Sequence, residues 1–309
     1  MRTNTHHTRT VGFLFVASLL LVACGWIERT PTPTLPPSAT GTPGPTETST
    51  PTPFPPSPTP EPLAATVNGE PISLAEYQAE MARYRAAQPS SDASVGDGAS
   101  NQVLDDLIDQ TLLAQGAREN GFTVDDTVVQ EHIDGLIEQV GGEGPFAIWL
   151  ADQGYTRENF RLALARAIAA AWMRDWIIAK VPQVAEQVHA RQILLYNSDQ
   201  AGEVLAELDA GKDFATLSAT YNPATLGELG WFPRDYLSDP AVEEAAFSLE
   251  PGEHSQVIKS QIGFQIIEVI ERDPERPLDP DARMVLQEKA FRDWLATKRD
   301  QSEIEIFLP

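Results

Sequence analysis

A proline- and threonine-rich stretch, residues 30–62, sets the strongest limit on what this chain can fold into. It lacks Lys and Arg and contains a single aromatic residue, Phe54. A segment with so little apolar surface cannot form a core, and its prolines favour an extended backbone of about 3.1 Å per residue. We therefore expect a disordered spacer here, so the folded body must come from the residues after it.

The residues before this spacer have the pattern of an export signal with a lipid attachment point. Two arginines precede the apolar run 11–23, which is too short to cross a hydrocarbon core of about 30 Å. The run ends in Leu-Val-Ala-Cys at Cys24, the only cysteine, and this string resembles the lipobox of bacterial lipoproteins. We predict a signal peptide at 1–23 and a lipidated Cys24 that opens the linker 24–62. Such a protein would be anchored at the outer face of the cytoplasmic membrane.

The chain is strongly acidic, with 45 Asp and Glu against 22 Lys and Arg and a formal net charge of −23. This charge disfavours nucleic acids and anionic lipids as partners. An acidic surface either keeps the protein soluble by self-repulsion or attracts basic, unfolded client chains. Both explanations stay open at the level of sequence.

Helical periodicity dominates residues 73–180 of the body. A short strand that turns at an Asn-Gly pair comes first, and Ser73 is placed to cap the helix that follows it. Thr156 is similarly placed before a long apolar-periodic run that extends to Trp176. We expect residues 63–185 to form a helical domain.

From about residue 186 the pattern becomes that of a compact α+β unit, which we place at 186–272. Strands are predicted at 188–195 and 263–270, with three helices between them. The proline-broken segment 273–280 is expected to end the last of these strands.

One more amphipathic helix and a short alternating strand make up most of residues 273–309. The α+β unit is complete without them, so we expect them to return to the helical domain. Ile304 and Ile306 would then lie in a strand beside residues 66–68, because each of these two short strands needs a partner.

Ordered motifs in the α+β unit resemble those of parvulin-type peptidyl-prolyl isomerases. They are GELGWFPR at 227–234, VEEAAFSLEPGE at 242–253, and the strand sequences HARQILL and SQIGFQIIEV. The preceding helical region resembles the chaperone domain of the SurA and PrsA foldases. The resemblance implies an α+β protein in which a parvulin-like domain is inserted into a helical chaperone domain. It also implies unfolded or newly exported polypeptides as partners, and no cofactor.

Two glutamines stand where the parvulin family usually has histidines that hydrogen-bond to one another beneath the active site. Gln192 and Gln265 each precede an aliphatic run. An amide both donates and accepts, so the two could preserve such a pair, although an amide does not titrate. We expect the two side chains to face each other across adjacent antiparallel strands within hydrogen-bond distance. Two unrelated, exposed glutamines are the alternative.

The loop in which the family carries an Asp or Cys is shorter here and contains neither residue. Asn222 is the nearest polar substitute, and with the two glutamines it forms the candidate catalytic set. Leu237 and Val242 match the apolar walls of the family's proline pocket. Three aromatic residues of the same motifs complete the candidate substrate-binding set: Trp231, Phe232 and Phe247.

The sequence predicts neither a metal site nor a phosphate-reading loop. His132, His189 and His254 have no Cys or His neighbours at metal-ligand spacing. Arg234 stands alone in its loop, which argues against selectivity for phosphoserine-proline.

Prolyl isomerisation needs no covalent step, because its barrier of about 20 kcal/mol arises from lost amide resonance. An apolar pocket that desolvates the twisted amide lowers this barrier in part, so we expect a membrane-anchored foldase with weak isomerase activity. One alternative is a parvulin-like holding chaperone without turnover. Another is a solute-binding lipoprotein, which requires two α/β lobes.

Overall fold

A computed structural model describes residues 61–87 and 97–308 of the chain. The expected signal peptide, Cys24 and almost all of the 24–62 linker lie outside the described residues. Within those ranges, no helix is both long and apolar enough to span a bilayer. The first half of the body consists of strands β1 (Leu63–Val67) and β2 (Glu70–Ser73) and helices α1 (Leu74–Ala87), α2 (Asp97–Glu119), α3 (Asp126–Val140), α4 (Glu143–Asp152) and α5 (Arg157–Ala179).

The second half contains a four-stranded sheet and the elements around it. These are β3 (Val184–Leu195), α6 (Ser198–Asp209), α7 (Phe214–Tyr221), β4 (Glu228–Pro233), α8 (Pro240–Ser248), β5 (Ile258–Ser260), β6 (Gly263–Pro277), α9 (Pro280–Asp300) and β7 (Ile304–Ile306).

The first sheet joins the two ends of the body in the order β2-β1-β7. β1 and β2 form a hairpin whose turn residues Asn68 and Gly69 have φ values of 52° and 79°, the left-handed conformation that an Asn-Gly turn adopts. β7 pairs with the other edge of β1, with Ile304 opposite Val67. The predicted pairing of the closing strand is therefore confirmed.

The predicted helix starts are confirmed by their caps. Ser73 Oγ accepts the N–H of Glu76 at 3.1 Å, at the start of α1. Thr156 forms a reciprocal capping box with Asn159 at the start of α5. Each cap satisfies backbone donors that the first turn of a helix leaves without an intrahelical partner.

The closing helix α9 packs against α2 and α5, which confirms the expected return to the helical region. Trp294 of α9 lies so close to α2 that a Cβ atom on Gly116 would be 2.6 Å from its ring. Arg299, near the end of α9, contacts Asp109 at 2.6 Å and Asp105 at 3.1 Å. These contacts hold the C-terminal helix onto the helical domain.

Asp106 lies in the same acidic part of α2. Partial burial raises its pKa from 3.8 to about 6, and the nearby carboxylates of Asp109 and Asp105 act in the same direction. Glu80 contributes to the rise, whereas Arg299 opposes it. The α2–α9 contact therefore contains a carboxyl group that titrates near pH 6.

The second sheet has the order β4-β3-β6-β5, and every pairing in it is antiparallel. α8 covers one face, where Val188, Ala190, Ile267 and Val269 meet Val242. α6 and α7 cover the other face. This single four-stranded unit beside a helical region differs from the two α/β lobes that a solute-binding lipoprotein requires.

Strand β6 continues past the point where the prolines were expected to end it. It pairs with β3 as far as Pro277, which lies opposite Val184, so the predicted end near residue 270 is wrong. Pro274 falls in an irregular stretch of the ladder between Asp273 and Arg276, where a missing N–H removes no regular pairing. The strand tolerates its prolines for that reason.

Candidate functional site

A pocket of about 180 Å³ opens on the face of the second sheet that α8 covers. About 10–15 Å³ is enough for one water molecule, so the pocket has room for a group the size of a proline ring. Its lining combines aliphatic walls with polar groups and comprises Gln192, Leu229, Leu237, Ser238, Asp239, Val242, Gln261, Ile262 and Gln265. We call this the Gln192–Gln265 pocket. Two of the three candidate catalytic residues and both predicted wall residues line it.

The two glutamines reach the pocket because strand alternation places them on the same face of the sheet. Gln192 lies opposite Ile267, and Gln265 lies opposite Leu194. They are therefore diagonal neighbours, a relation in which Cα atoms are about 7–8 Å apart. The adjacent antiparallel strands are confirmed, whereas direct opposition is wrong. The alternative of two exposed glutamines is also wrong, since Gln265 is 3% exposed.

The expected hydrogen bond between the two amides is replaced by another bond. Gln265 Nε2 donates to Ser260 Oγ at 2.6 Å. Ser260 lies in β5, which pairs with β6 across a short hairpin, and this pairing brings its hydroxyl within hydrogen-bond distance of Gln265. With Gln261, the pocket thus offers a bound peptide three amide side chains that hydrogen-bond without titrating.

Asn222 serves the β3 backbone and lies outside the pocket. Its Oδ1 accepts the N–H of Leu194 at 2.9 Å, and its Nδ2 donates to Leu194 O at 3.2 Å. β4 pairs with β3 only as far as Arg191, so the backbone beyond that point needs other partners. The amide of Asn222 completes the edge of the sheet, and its catalytic role stays a prediction.

The short loop before β4 passes very close to β3. Gln192 N donates to Gly227 O at 2.7 Å, and Ser218 Oγ donates to Leu226 O at 2.6 Å. Gly227 has a φ of 73°, and a Cβ atom there would lie 2.0 Å from both Gln192 O and Ser218 Oγ. Only glycine fits this position, and it fixes β3 beside the pocket.

The Leu237 wall of the pocket is held by the carboxylate of Glu243. This carboxylate accepts the backbone N–H groups of Asp235 at 2.7 Å, Tyr236 at 2.9 Å and Leu237 at 3.0 Å. Hydrogen bonds to a charged acceptor are stronger than neutral ones. Because Glu243 follows Val242 in α8, it fixes one wall of the pocket relative to the other.

The three aromatic candidates do not line the pocket, and their part in substrate binding stays a prediction. Phe232 is 0% exposed and packs edge-on against Phe247 at 6.1 Å between ring centroids. Trp231 lies on the opposite face of β4, where its ring stacks on His189 at 5.4 Å. Phe232 and Phe247 belong to the apolar cluster on the α8 side of the sheet that also contains Val242, so they pack behind the pocket wall, whereas alternation along β4 places Trp231 on the other face. The three rings stabilise the unit that carries the pocket.

Sequence reasoning missed several residues that shape the site. Ser260 and Ile262 both belong to the string SQIGFQ, and their distance from Gln265 becomes short only because the chain turns between β5 and β6. Glu243 and Asp239 flank the predicted wall residue Val242. A search for polar residues within four positions of each predicted wall would have found both.

The histidines of the body have local partners instead of a metal-binding arrangement. His189 Nε2 lies 2.5 Å from Glu228 Oε1, and His254 Nε2 lies 3.8 Å from an oxygen of Asp209. His132 Nδ1 lies 2.9 Å from a backbone oxygen of its own helix. Across residues 61–87 and 97–308, no cluster of His, Cys, Asp or Glu side chains is arranged to hold a metal ion.

Comparison with known proteins gives two family matches that together span most of the chain. Residues 49–174 match the SurA-like N-terminal domain, and residues 177–273 match the PPIC-type PPIase domain. The crystal structure of the peptidylprolyl isomerase PrsA from Bacillus anthracis has 21% sequence identity and a TM-score of 0.42, and the match covers 64% of this chain and 96% of that one.

Relatives of similar sequence are foldases and chaperones by name. The foldase protein PrsA of Caldanaerobacter subterraneus subsp. tengcongensis is 30% identical over 233 residues, covering 66% of this chain and 72% of the relative. The chaperone SurA of Methylobacillus flagellatus is 32% identical over 145 residues, but the match covers only 33% of that relative. The chain therefore belongs to the parvulin-type, SurA/PrsA-like foldase family.

Proposed function

We propose that this foldase binds X–Pro segments of unfolded polypeptides in the Gln192–Gln265 pocket and isomerises them slowly. The observation that carries the proposal is the pocket itself, in which the aliphatic side chains of Leu237 and Val242 face the two amides on the sheet. The surrounding helical region would hold the rest of the unfolded client. The proposal also divides the body into a helical domain at 63–185, a parvulin-like domain at 186–272 and a returning segment at 273–309.

The chemistry of the pocket suits slow isomerisation. Aliphatic walls grip the proline ring and remove water from the amide, which favours the less polar, twisted state. Gln192 and Gln265 supply hydrogen-bonding groups but transfer no protons. The absence of one further hydrogen-bonding group costs about 1.4–3 kcal/mol, or roughly ten- to a hundredfold in rate.

A holding chaperone without turnover is the second candidate, and the amide-lined floor of the pocket favours it. If the pocket holds planar and twisted amides equally well, it binds prolines without accelerating their rotation. The two candidates differ only in the rate of isomerisation.

The test is a protease-free isomerisation assay by exchange NMR on residues 58–309, which form one compact unit. We expect acceleration of an Ala-Pro peptide that is at least tenfold lower than that of an ordinary parvulin. Leu237→Ala should abolish it, while the control Leu226→Ala should not, because Leu226 is 60% exposed and does not line the pocket. Peptide binding without any acceleration would select the holding chaperone, and the absence of both would reject the pocket.

We also propose that Cys24 carries a lipid that anchors the foldase at the outer face of the cytoplasmic membrane. The support is the Leu-Val-Ala-Cys string after a short apolar run. Stable anchoring requires two or more acyl chains, which a lipoprotein cysteine has. Labelled palmitate should enter the wild-type protein in cells and not the Cys24→Ser variant, which should leave the membrane fraction. Equal labelling of the two would contradict the proposal.

A further inference from the structure

We infer that Asp239 makes the Gln192–Gln265 pocket discriminate by charge, so that it favours X–Pro segments with Lys or Arg beside the proline over segments with Glu, Asp or phosphoserine there. This inference rests on the proposed function, because it concerns which peptides the pocket accepts.

Asp239 is held rigidly at the edge of the pocket. Its Oδ1 caps α8 by accepting the N–H groups of Ala241 at 3.0 Å and Val242 at 3.4 Å. Val242 is itself a wall of the pocket, so the cap places the carboxylate directly beside that wall. The two bonds involve Oδ1, and a carboxylate has a second oxygen that can accept from a ligand.

The lining of the pocket provides no positive charge to offset this carboxylate. Of the lining residues, all of which lie in the described part of the chain, Asp239 is the only charged one. Arg234 is nearby in sequence, but it pairs with Glu244 at 3.3 Å and its guanidinium lies over the ring of Phe247 at 4.3 Å.

Lys259 is the other cation close to the pocket in sequence, and strand alternation directs it away. It lies opposite Phe264, which packs against the α6–α7 side of the sheet. Gln265, one residue later, faces the α8 side. A ligand in the pocket therefore meets a local negative charge without a nearby positive one.

The capping role of Asp239 does not account for its charge. Asn caps a helix about as well as Asp does, so Asp239→Asn keeps the cap and removes only the charge. This gives a variant in which the fold and the aliphatic walls are retained. The general acidity of the body acts over longer distances and is largely screened beyond about 10 Å at 0.1 M salt.

The experiment compares peptides that carry Lys, Ala or Glu immediately before the proline, and a second set with the same residues immediately after it. Binding by NMR titration and isomerisation by exchange NMR are measured for residues 58–309. For at least one set we expect the wild type to favour Lys over Glu by about three- to tenfold at 0.1 M salt. The ratio should fall towards one at 1 M salt, where the Debye length is about 3 Å.

Asp239→Asn should lower the Lys-to-Glu ratio by about two- to fivefold. The matched control is Glu250→Gln, which removes one negative charge just after the same helix at an exposed position outside the pocket and should keep the wild-type ratio.

A ratio that is the same in Asp239→Asn and the wild type, or a wild type that does not distinguish Lys from Glu in either set, would overturn the inference. In both cases the Ala peptide still reports on the proposed function. If no peptide binds or isomerises, the proposed function fails, and the inference fails with it.

Discussion

Gly227 provides the sharpest test of how the pocket is held, because Gly230 offers a matched comparison three residues away. Both glycines have a φ of 73°, but a Cβ atom at Gly230 would meet nothing within 4 Å, whereas one at Gly227 would lie 2.0 Å from Gln192 O and Ser218 Oγ. Replacing each by Ala therefore separates the cost of the backbone conformation from the cost of the overlap.

The expected magnitudes differ clearly. The left-handed conformation costs an alanine about 1–2 kcal/mol, partly offset by the lower entropy of its unfolded chain, so Gly230→Ala should cost about 1 kcal/mol. Gly227→Ala bears the same cost and must also push the loop away from β3. Overpacking adds about 1–3 kcal/mol, and the strained hydrogen bonds of Gln192 and Ser218 add about 1 kcal/mol more. We expect a total of about 3–5 kcal/mol.

The assay is urea unfolding of residues 58–309 followed by hydrogen exchange and mass spectrometry, which reports on each region separately. Gly227→Ala should lower the protection of the amide of Gln192, while α2 and α5 keep theirs. Adding Ser218→Ala removes one of the two overlapping atoms, so its effect should deviate from additivity by more than about 0.5 kcal/mol. Equal destabilisation by Gly227→Ala and Gly230→Ala would refute the close approach of the loop to β3.

Three further changes test the acidic cluster and the pocket. The folded protein binds a proton at Asp106 with a pKa of about 6, above the unfolded value of about 3.9, so its stabilising contribution is present at low pH and is lost as the pH rises through 6. Because solvent still reaches the partly buried carboxyl of Asp106, we discount this to about 1 kcal/mol: Asp106→Asn should raise Tm at pH 7.5 and change it little near pH 3, below the unfolded pKa. The same change in Tm at both pH values would contradict the reasoning. Glu243→Ala should raise KM for a proline peptide about tenfold, because the Leu237 wall loses its anchor, with partial rescue by Glu243→Gln; a fall in Tm with unchanged KM would reject that role. Gln192→His with Gln265→His should raise kcat/KM less than tenfold, since the loop still lacks an Asp or Cys, and a larger gain in the exchange assay would move the main defect to the glutamines.

The features that sequence predicted correctly are those set by local rules or by a clear need for a partner. The Asn-Gly turn at Asn68 and the caps at Ser73 and Thr156 follow from backbone conformation and unpaired N–H groups within a few residues. The pairing of β7 with β1 follows because a short alternating strand is exposed unless another strand covers it. Each of these features meets a single physical requirement: a left-handed turn, a partner for an unpaired N–H group, or a partner for an uncovered strand edge.

The glutamine pair was predicted only in part. Side-chain alternation determines which face of the sheet a residue lies on, but not how far one strand is shifted along its neighbour. Moving β6 by two residues along β3 keeps every side chain on its own face, so the pattern cannot distinguish opposite from diagonal neighbours. Gln192 and Gln265 therefore reached the predicted face without reaching each other. The hairpin between β5 and β6 then placed Ser260 within 2.6 Å of Gln265, which no periodicity in the strands could indicate.

The sequence did not reveal that Asn222 bonds to the β3 backbone, because only the folded sheet shows which backbone groups lack a partner strand. β4 pairs with β3 only as far as Arg191, so beyond that residue the edge of β3 that faces β4 has no partner strand. Buried N–H and C=O groups need partners whether or not a substrate is present. An Asn at the end of α7 offers one donor and one acceptor, and both are used on Leu194. The same argument holds for other shortened loops: an Asn, Ser or Thr beside a strand that lacks a partner along part of its length is expected to hydrogen-bond the backbone of that strand. For this foldase the consequence is chemical, because the amide of Asn222 is committed to the sheet and the polar groups of the pocket come from its lining residues, Gln192 and Gln265 among them.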